Sequence, residues 1–152
     1  VPMGSDLPEK TGTSPQFLVA ATADAGSMEF PGNPLQQLQV IKGWSDAEGN
    51  IHQSVFEVAG DAANGASVDL NSCAPQGQGF AQLCSGWQDP EFDENQRAVY
   101  YLRAVDNPSC RYTAWQCLSL PEDERPEDCA TPLFDPVIQE RAWSSPIWYS
   151  PT

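Results

Sequence analysis

Apolar and polar positions alternate most clearly in two runs on either side of a short polar turn. In residues 35–44 (L-Q-Q-L-Q-V-I-K-G-W), Leu38, Val40 and the stem of Lys42 alternate with Gln37, Gln39 and Ile41. After S-D-A-E-G-N, residues 51–59 set Ile51, Gln53, Val55, Glu57 and Ala59 against His52, Ser54, Phe56 and Val58. A period of two sends successive side chains to opposite faces of a strand, and an Asp/Gly/Asn turn joins two such strands, so a β-hairpin is predicted here.

The rest of the chain reads as further short strands. Residues 15–23 (P-Q-F-L-V-A-A-T-A) form a first strand, and Gly26, Pro31, Gly32 and Pro34 break the segment after it into loop. Residues 66–70 give a short strand and residues 87–95 an acidic, turn-rich connection. In R-A-V-Y-Y-L-R-A-V-D-N-P, Val99, Tyr101 and Arg103 face one way and Tyr100, Leu102 and Ala104 the other, until Asn107–Pro108 turns the chain. Residues 111–117 read as strand or short helix, and I-Q-E-R-A-W (138–143) as a last strand before S-S-P-I-W-Y-S-P. Residues 1–14 are Gly, Pro and polar and read as a linker or lead-in; residues 15–152 read as one domain. Six or seven short strands predict an all-β fold, a two-layer β-sandwich of immunoglobulin-like architecture with long disulfide-stapled loops.

Composition narrows the setting. The 152 residues include 14 prolines and 11 glycines, fitting many short elements joined by turns, and the length is enough to bury a core. No stretch reaches the roughly 18 apolar residues of a membrane span. The net charge of −14, with only seven Lys and Arg scattered along the chain, excludes the basic stripe that nucleic acid or an anionic membrane requires. The chain begins at Val1, which is read as a processed product or a fragment.

Five cysteines carry more information. Cys73 and Cys84 flank a Gly-rich loop, and Cys117 and Cys129 an acidic, Pro-containing one. Neither loop has the apolar residues to hold itself, and a disulfide across each is worth roughly 3 kcal/mol by chain entropy. These pairings are expected, with Cys110 left over; Cys110–Cys117 and Cys110–Cys129 remain open alternatives. Disulfides persist in oxidising compartments, so a periplasmic or extracellular location is expected. Zinc is disfavoured, since no C-x-x-C occurs and His52 is the single histidine.

Candidate chemistry is sparse. His52 lies on a hairpin arm with Ser54 two residues away, but no nucleophile motif surrounds it. Asp46, Glu48 and Asn50 lack the Gly and bidentate Glu of a calcium loop. Asp89, Glu91 and Asp93 are the calcium candidates, against the simpler reading of a solvated acidic connection. No phosphate-binding glycine loop is present. The aromatic residues, Trp44, Trp87, Trp115, Trp143, Trp148 and four tyrosines, serve either as core or as stacking platforms. Ile147, Trp148 and Tyr149 have no obvious partner in their own segment and are the leading domain-interface residues.

Several phrases resemble the C-terminal region of a bacterial family catalogued as domain of unknown function 3604. They are V-P-M-G-S-D-L (1–7), L-Q-V-I-K-G-W (38–44), V-F-E-V-A (55–59), W-Q-D-P-E-F-D (87–93), Y-Y-L-R and N-P-S-C-R-Y (within 100–112) and I-Q-E-R-A-W-S-S-P-I-W-Y (138–149). Ser5 departs from the small residue, often Gly, expected there. The family is similar to PHP-type metal-dependent hydrolases, whose His- and Asp-rich metal cluster belongs to an N-terminal catalytic domain. The resemblance therefore implies a non-catalytic C-terminal accessory domain of an exported hydrolase. No cofactor is expected in this chain, and a divalent metal is expected only in the parent's catalytic domain, the expected partner. Asp6 and Arg141 are the positions singled out for contact with that domain. A second expectation is a stand-alone secreted module for a sugar or peptide, stabilised by calcium; the identity of any small ligand is open.

Overall fold

The predicted hairpin forms one side of the large sheet, with its second arm at the sheet edge. A computed structural model describes residues 1–8, 12–28 and 31–151. Its strands are β1 (Gln16–Thr22), β2 (Leu35–Ser45), β3 (Ile51–Gly60), β4 (Ser67–Asp69), β5 (Ala74–Gln76), β6 (Gln82–Gln88), β7 (Ala98–Asp106), β8 (Ser109–Cys110), β9 (Val137–Ile138), β10 (Arg141–Trp143) and β11 (Ile147–Tyr149). One α-helix, α1 (Tyr112–Ser119), and two single-turn 3-10 helices (Glu122–Glu124, Glu127–Cys129) follow β8. The large sheet runs β10–β7–β2–β3, with β11 also on β7, and all pairs are antiparallel.

Register decides which side chains meet. Across β3, β2 and β7, Phe56, Val40 and Leu102 stand abreast, as do Ser54, Lys42 and Tyr100, and then His52, Trp44 and Ala98. This is the core side. The second layer is the β1–β6 ribbon, paired from Gln16↔Gln88 to Thr22↔Gln82. Val19 and Leu83 face inward onto Leu35, Leu38, Val40 and Tyr100, with Phe17 and Trp87 packed beside them. Trp87 lies 5.0 Å from Phe56, and Phe17 lies 4.8 Å from Tyr100, so aromatic rings join the layers. Each aliphatic side chain buried this way contributes about 1.5–3 kcal/mol. The fold is all-β and sandwich-like, as the alternation predicts.

Strand β6 was expected as part of a Cys-flanked loop, and this corrects the pairing of Cys84. Leu83 points into the core, so the period of two turns Cys84 outward, opposite Ala20. Cys84 is a free, exposed thiol. Cys73 bonds instead to Cys110, across 37 residues, with Cα atoms 5.6 Å apart. The turn after β4 makes this geometry: Asp69 accepts the Cys73 amide, and Cys73 takes the left-handed conformation at φ 54° that buries it beside β8. Cys117 and Cys129 are bonded as read from the sequence.

The C-terminal segment is not one strand. Its first part, β9, pairs with β8; β10 and β11 then lie in line along the outer edge of β7. Residues 4–7, within the expected lead-in, run beside β11: Trp148 donates to the Ser5 carbonyl, Leu7 to the Trp148 carbonyl and Gly4 to the Pro146 carbonyl. Among the described residues no helix is long and apolar enough to cross a membrane.

Candidate functional site

Three polar side chains meet inside the sandwich. Lys42 stands on the core face of β2, and its Nζ lies 2.7 Å from Asp89 Oδ2, with both side chains at most 2% exposed. The same ammonium donates to the Glu91 carbonyl at 2.6 Å and sits 5.3 Å from the Trp44 ring centre. Tyr100 Oη donates to Asp89 Oδ2 at 2.7 Å, and the Glu91 amide donates to Asp89 Oδ1 at 2.9 Å. Burial and the adjacent Asp89 carboxylate hold the Tyr100 phenol well above the ordinary tyrosine range. A lysine on a core-facing position needs such partners, because an unpaired buried charge is severely penalised. The sequence marks Lys42 by its place in the alternation, but Asp89 reads as part of a surface acidic run.

This removes Asp89 as a calcium ligand, since its carboxylate is committed to Lys42 and Tyr100. Glu91 accepts the Ser54 hydroxyl, and Asp93 caps its own turn by accepting the Asn95 amide. No group of three or more His, Cys, Asp or Glu side chains converges as a metal site among the described residues. His52 stacks on Trp44 at 5.5 Å and bonds through Nε2 to Asp46 at 2.8 Å. Hydrogen bonds from His52 and Asn50 lower Asp46 to about 2. Ser54, bonded to Glu91, belongs to a separate pair, so His52 and Ser54 are not assembled as base and nucleophile.

The face of the large sheet turned away from β1 and β6 is different in kind. Its rows are Gln53–Gly43–Val99–Trp148, then Val55–Ile41–Tyr101, then Glu57–Gln39–Arg103–Trp143. Ile41 is shielded beneath its neighbours, while Ile51, Val55, Trp143 and Trp148 are exposed at 82%, 43%, 60% and 50%. Arg103 Nε donates to Gln39 Oε1 at 2.8 Å, which places a flat polar pair beside Trp143. The tryptophans oppose Val99 and Arg103, four residues apart, so they stand roughly 13 Å apart along the strand.

Of the expected interface residues, Asp6, Arg141 and Trp148 lie on this side of the molecule, and Ile147 and Tyr149 do not. Asp6 is exposed and bridges to Trp148; Arg141 is exposed on β10, two residues from Trp143. Ile147 is half-buried and faces the core side, opposite Tyr100. Tyr149 differs from the expectation: it is buried, its ring meets Phe92 at 5.0 Å and its hydroxyl donates to the Glu94 carbonyl. Strand alternation sends Trp148 out and Tyr149 in. Tyr101 and Trp143, which complete the aromatic face, were not singled out from the sequence as a set; their shared parity on paired strands is the signal that joins them.

A family model described as protein of unknown function (DUF3604) matches residues 1–151. Neither the curated proteins nor the solved structures contain a match to the chain.

Proposed function

The chain belongs to the DUF3604 family, and from that premise we propose that it is a non-catalytic C-terminal accessory domain of an exported, metal-dependent hydrolase, packing on the catalytic domain of the same polypeptide. The observation that carries this reading is the exposed apolar face of the large sheet, with Trp143 and Trp148 standing out at its β10–β11 edge beside Asp6 and Arg141. Large exposed apolar patches mark interaction surfaces, and half-exposed tryptophans are the usual anchors of protein interfaces. The inaccessible Lys42–Asp89–Tyr100 cluster and the separated His52 and Ser54 pairs support a non-catalytic role. Two disulfides support an oxidising compartment, periplasmic or extracellular.

The aromatic row also supports a second reading, a module that binds a glycan chain, because Trp148, Tyr101 and Trp143 share one sheet face with Gln39, Gln53 and Arg103. One experiment separates the two. Light-induced oxidation of Trp143 and Trp148 is mapped in the protein from the complete gene, with and without soluble polysaccharides. Shielding without added ligand supports domain packing. Free oxidation that polysaccharide suppresses overturns packing and supports the glycan module; free oxidation throughout overturns both.

A further inference from the structure

Cations are scarce in this chain, and their placement is uneven. Of seven Lys and Arg, three arginines border one tryptophan. Arg103 lies directly across the ladder from Trp143. Arg141 stands two residues before Trp143 on the same face of β10, about 7 Å along the strand. Arg111, with Arg141 and Trp143, lines an open concavity of about 600 Å³. None of the three guanidiniums is in an ion pair: among the described residues those pairs are Lys42–Asp89 and His52–Asp46.

The nearby carboxylates do not cancel them. Glu57 shares a row with Arg103 but is two strands away, with Gln39 between them. Glu140 and Asp135 line the concavity. Glu140 alternates with Arg141, and its charge acts on Asp106, whose parity on β7 is that of the core side. Asp135 accepts the Val137 amide and forms no ion pair with Arg111. The aromatic rings are equally unclaimed. Trp143 and Trp148 are exposed, and among the described residues neither ring stacks on another ring or on a cation. With half-buried Tyr101 between them, they form a row along β7.

We propose that the arginine end of this row is a subsite for an acidic sugar, a pyranose carrying a carboxylate or a sulfate ester within an extended polysaccharide. The inference rests on the glycan reading of the face and names the class of glycan. A pyranose offers apolar C–H groups on its ring face, which suit the flat ring of Trp143. Its anionic oxygens suit guanidinium, whose forked donors meet two oxygens at once. Arg103 is oriented for this: its Nε is spent on Gln39, and its terminal amino groups have no partner among the described residues. On a chain of net charge −14, an anion is held only where cations gather, so its charge is read at this end of the row.

Calorimetric titration of the protein from the complete gene tests this. The probes are polygalacturonate and its full methyl ester, cellulose sulfate and hydroxyethyl cellulose, and poly-glutamate. One acidic polysaccharide should bind at least about 10-fold more tightly than its uncharged counterpart at about 0.1 M salt. Preference for polygalacturonate identifies a uronate, and preference for cellulose sulfate a sulfate ester. Arg141→Gln, at an exposed position, should remove that preference with the β-sheet circular dichroism unchanged, and Trp143→Ala should remove binding of the sugar chains. Equal affinity for acidic and neutral chains overturns the acidic subsite and leaves the glycan reading standing. A preference that survives Arg141→Gln overturns the arginine end as its seat. Poly-glutamate binding as tightly as the acidic polysaccharides, and unchanged by Trp143→Ala, overturns the sugar and makes an acidic peptide the ligand. Failure of every probe to bind overturns the subsite and the glycan reading together.

Discussion

At the scale of single residues, Lys42 and Asp89 put the most free energy at stake. Each is buried and each has the other as its counter-ion, so removing one leaves a charge with no comparable partner. Asp89→Ala should destabilise the fold by about 3–5 kcal/mol in urea unfolding. The paired replacement Lys42→Met with Asp89→Leu should recover most of that loss, because it removes both charges. Tyr100 adds a pH dependence with a definite sign. Its native phenol keeps its proton well above the range where an unfolded tyrosine, near pH 10, releases one. The stability it contributes is therefore full below about pH 10 and falls as pH rises, by up to about 1.4 kcal/mol per pH unit. Unfolding free energies from pH 9 to 11 should fall more steeply in the unmodified protein than in Tyr100→Phe. Equal slopes would remove this account. Asp106 works in the same direction at lower pH: burial, then the Glu140 and Asp24 carboxylates, raise its pKa. The stability that its raised pKa confers is held in acid and lost as pH rises through the native value, so Asp106→Asn should raise Tm at pH 7 and not in acid.

Among the elements, the β2–β3 hairpin and β7 were legible because their alternation is long and their residues β-branched or aromatic. β6 was not, although Leu83, Ser85 and Trp87 alternate correctly, because Gln, Gly and Cys dilute its apolar signal and two cysteines suggested a closed loop. The cysteine pairing was legible only where the loop is local. Cys117 and Cys129 close 12 residues around two 3-10 turns, whereas Cys73 finds Cys110 through the β4–β5 turn, a tertiary relation that spacing does not encode. The two bridges should differ in worth accordingly. By chain entropy, Cys73–Cys110 contributes about 4 kcal/mol and Cys117–Cys129 about 3. Replacing Cys73 and Cys110 together with alanine should cost more stability than replacing Cys117 and Cys129. Alkylation without reduction should modify Cys84 alone; labelling of Cys110 in its place would restore the local pairing.

Over the whole molecule, the contrast between a large net charge and the mostly uncharged rows of the outer sheet face is what makes the interaction face testable. With a net charge of −14, any association through the general surface would weaken or strengthen strongly with ionic strength, because exposed charges are screened within about 10 Å at 0.1 M salt. The outer face of the large sheet is built instead on Ile51, Val55, Val99, Tyr101, Trp143 and Trp148, with Glu57 and Arg103 in a single row. That arrangement was half legible: parity on each strand follows from the sequence, but which strands lie abreast, and that no layer of the described residues is laid over those tryptophans, needs the sheet order. Attachment through this face should therefore be nearly indifferent to salt between 50 and 500 mM, and strengthened by sulfate, which favours apolar burial. The measurement is the midpoint separation of domain melting in calorimetry of the complete polypeptide. Packing through the tryptophans predicts a coupled transition that splits in Trp143→Ala/Trp148→Ala while the β-sheet circular dichroism of the native protein is unchanged. Coupling that instead disappears with salt would move the interface to the acidic surface, and the aromatic face would then be free for a glycan.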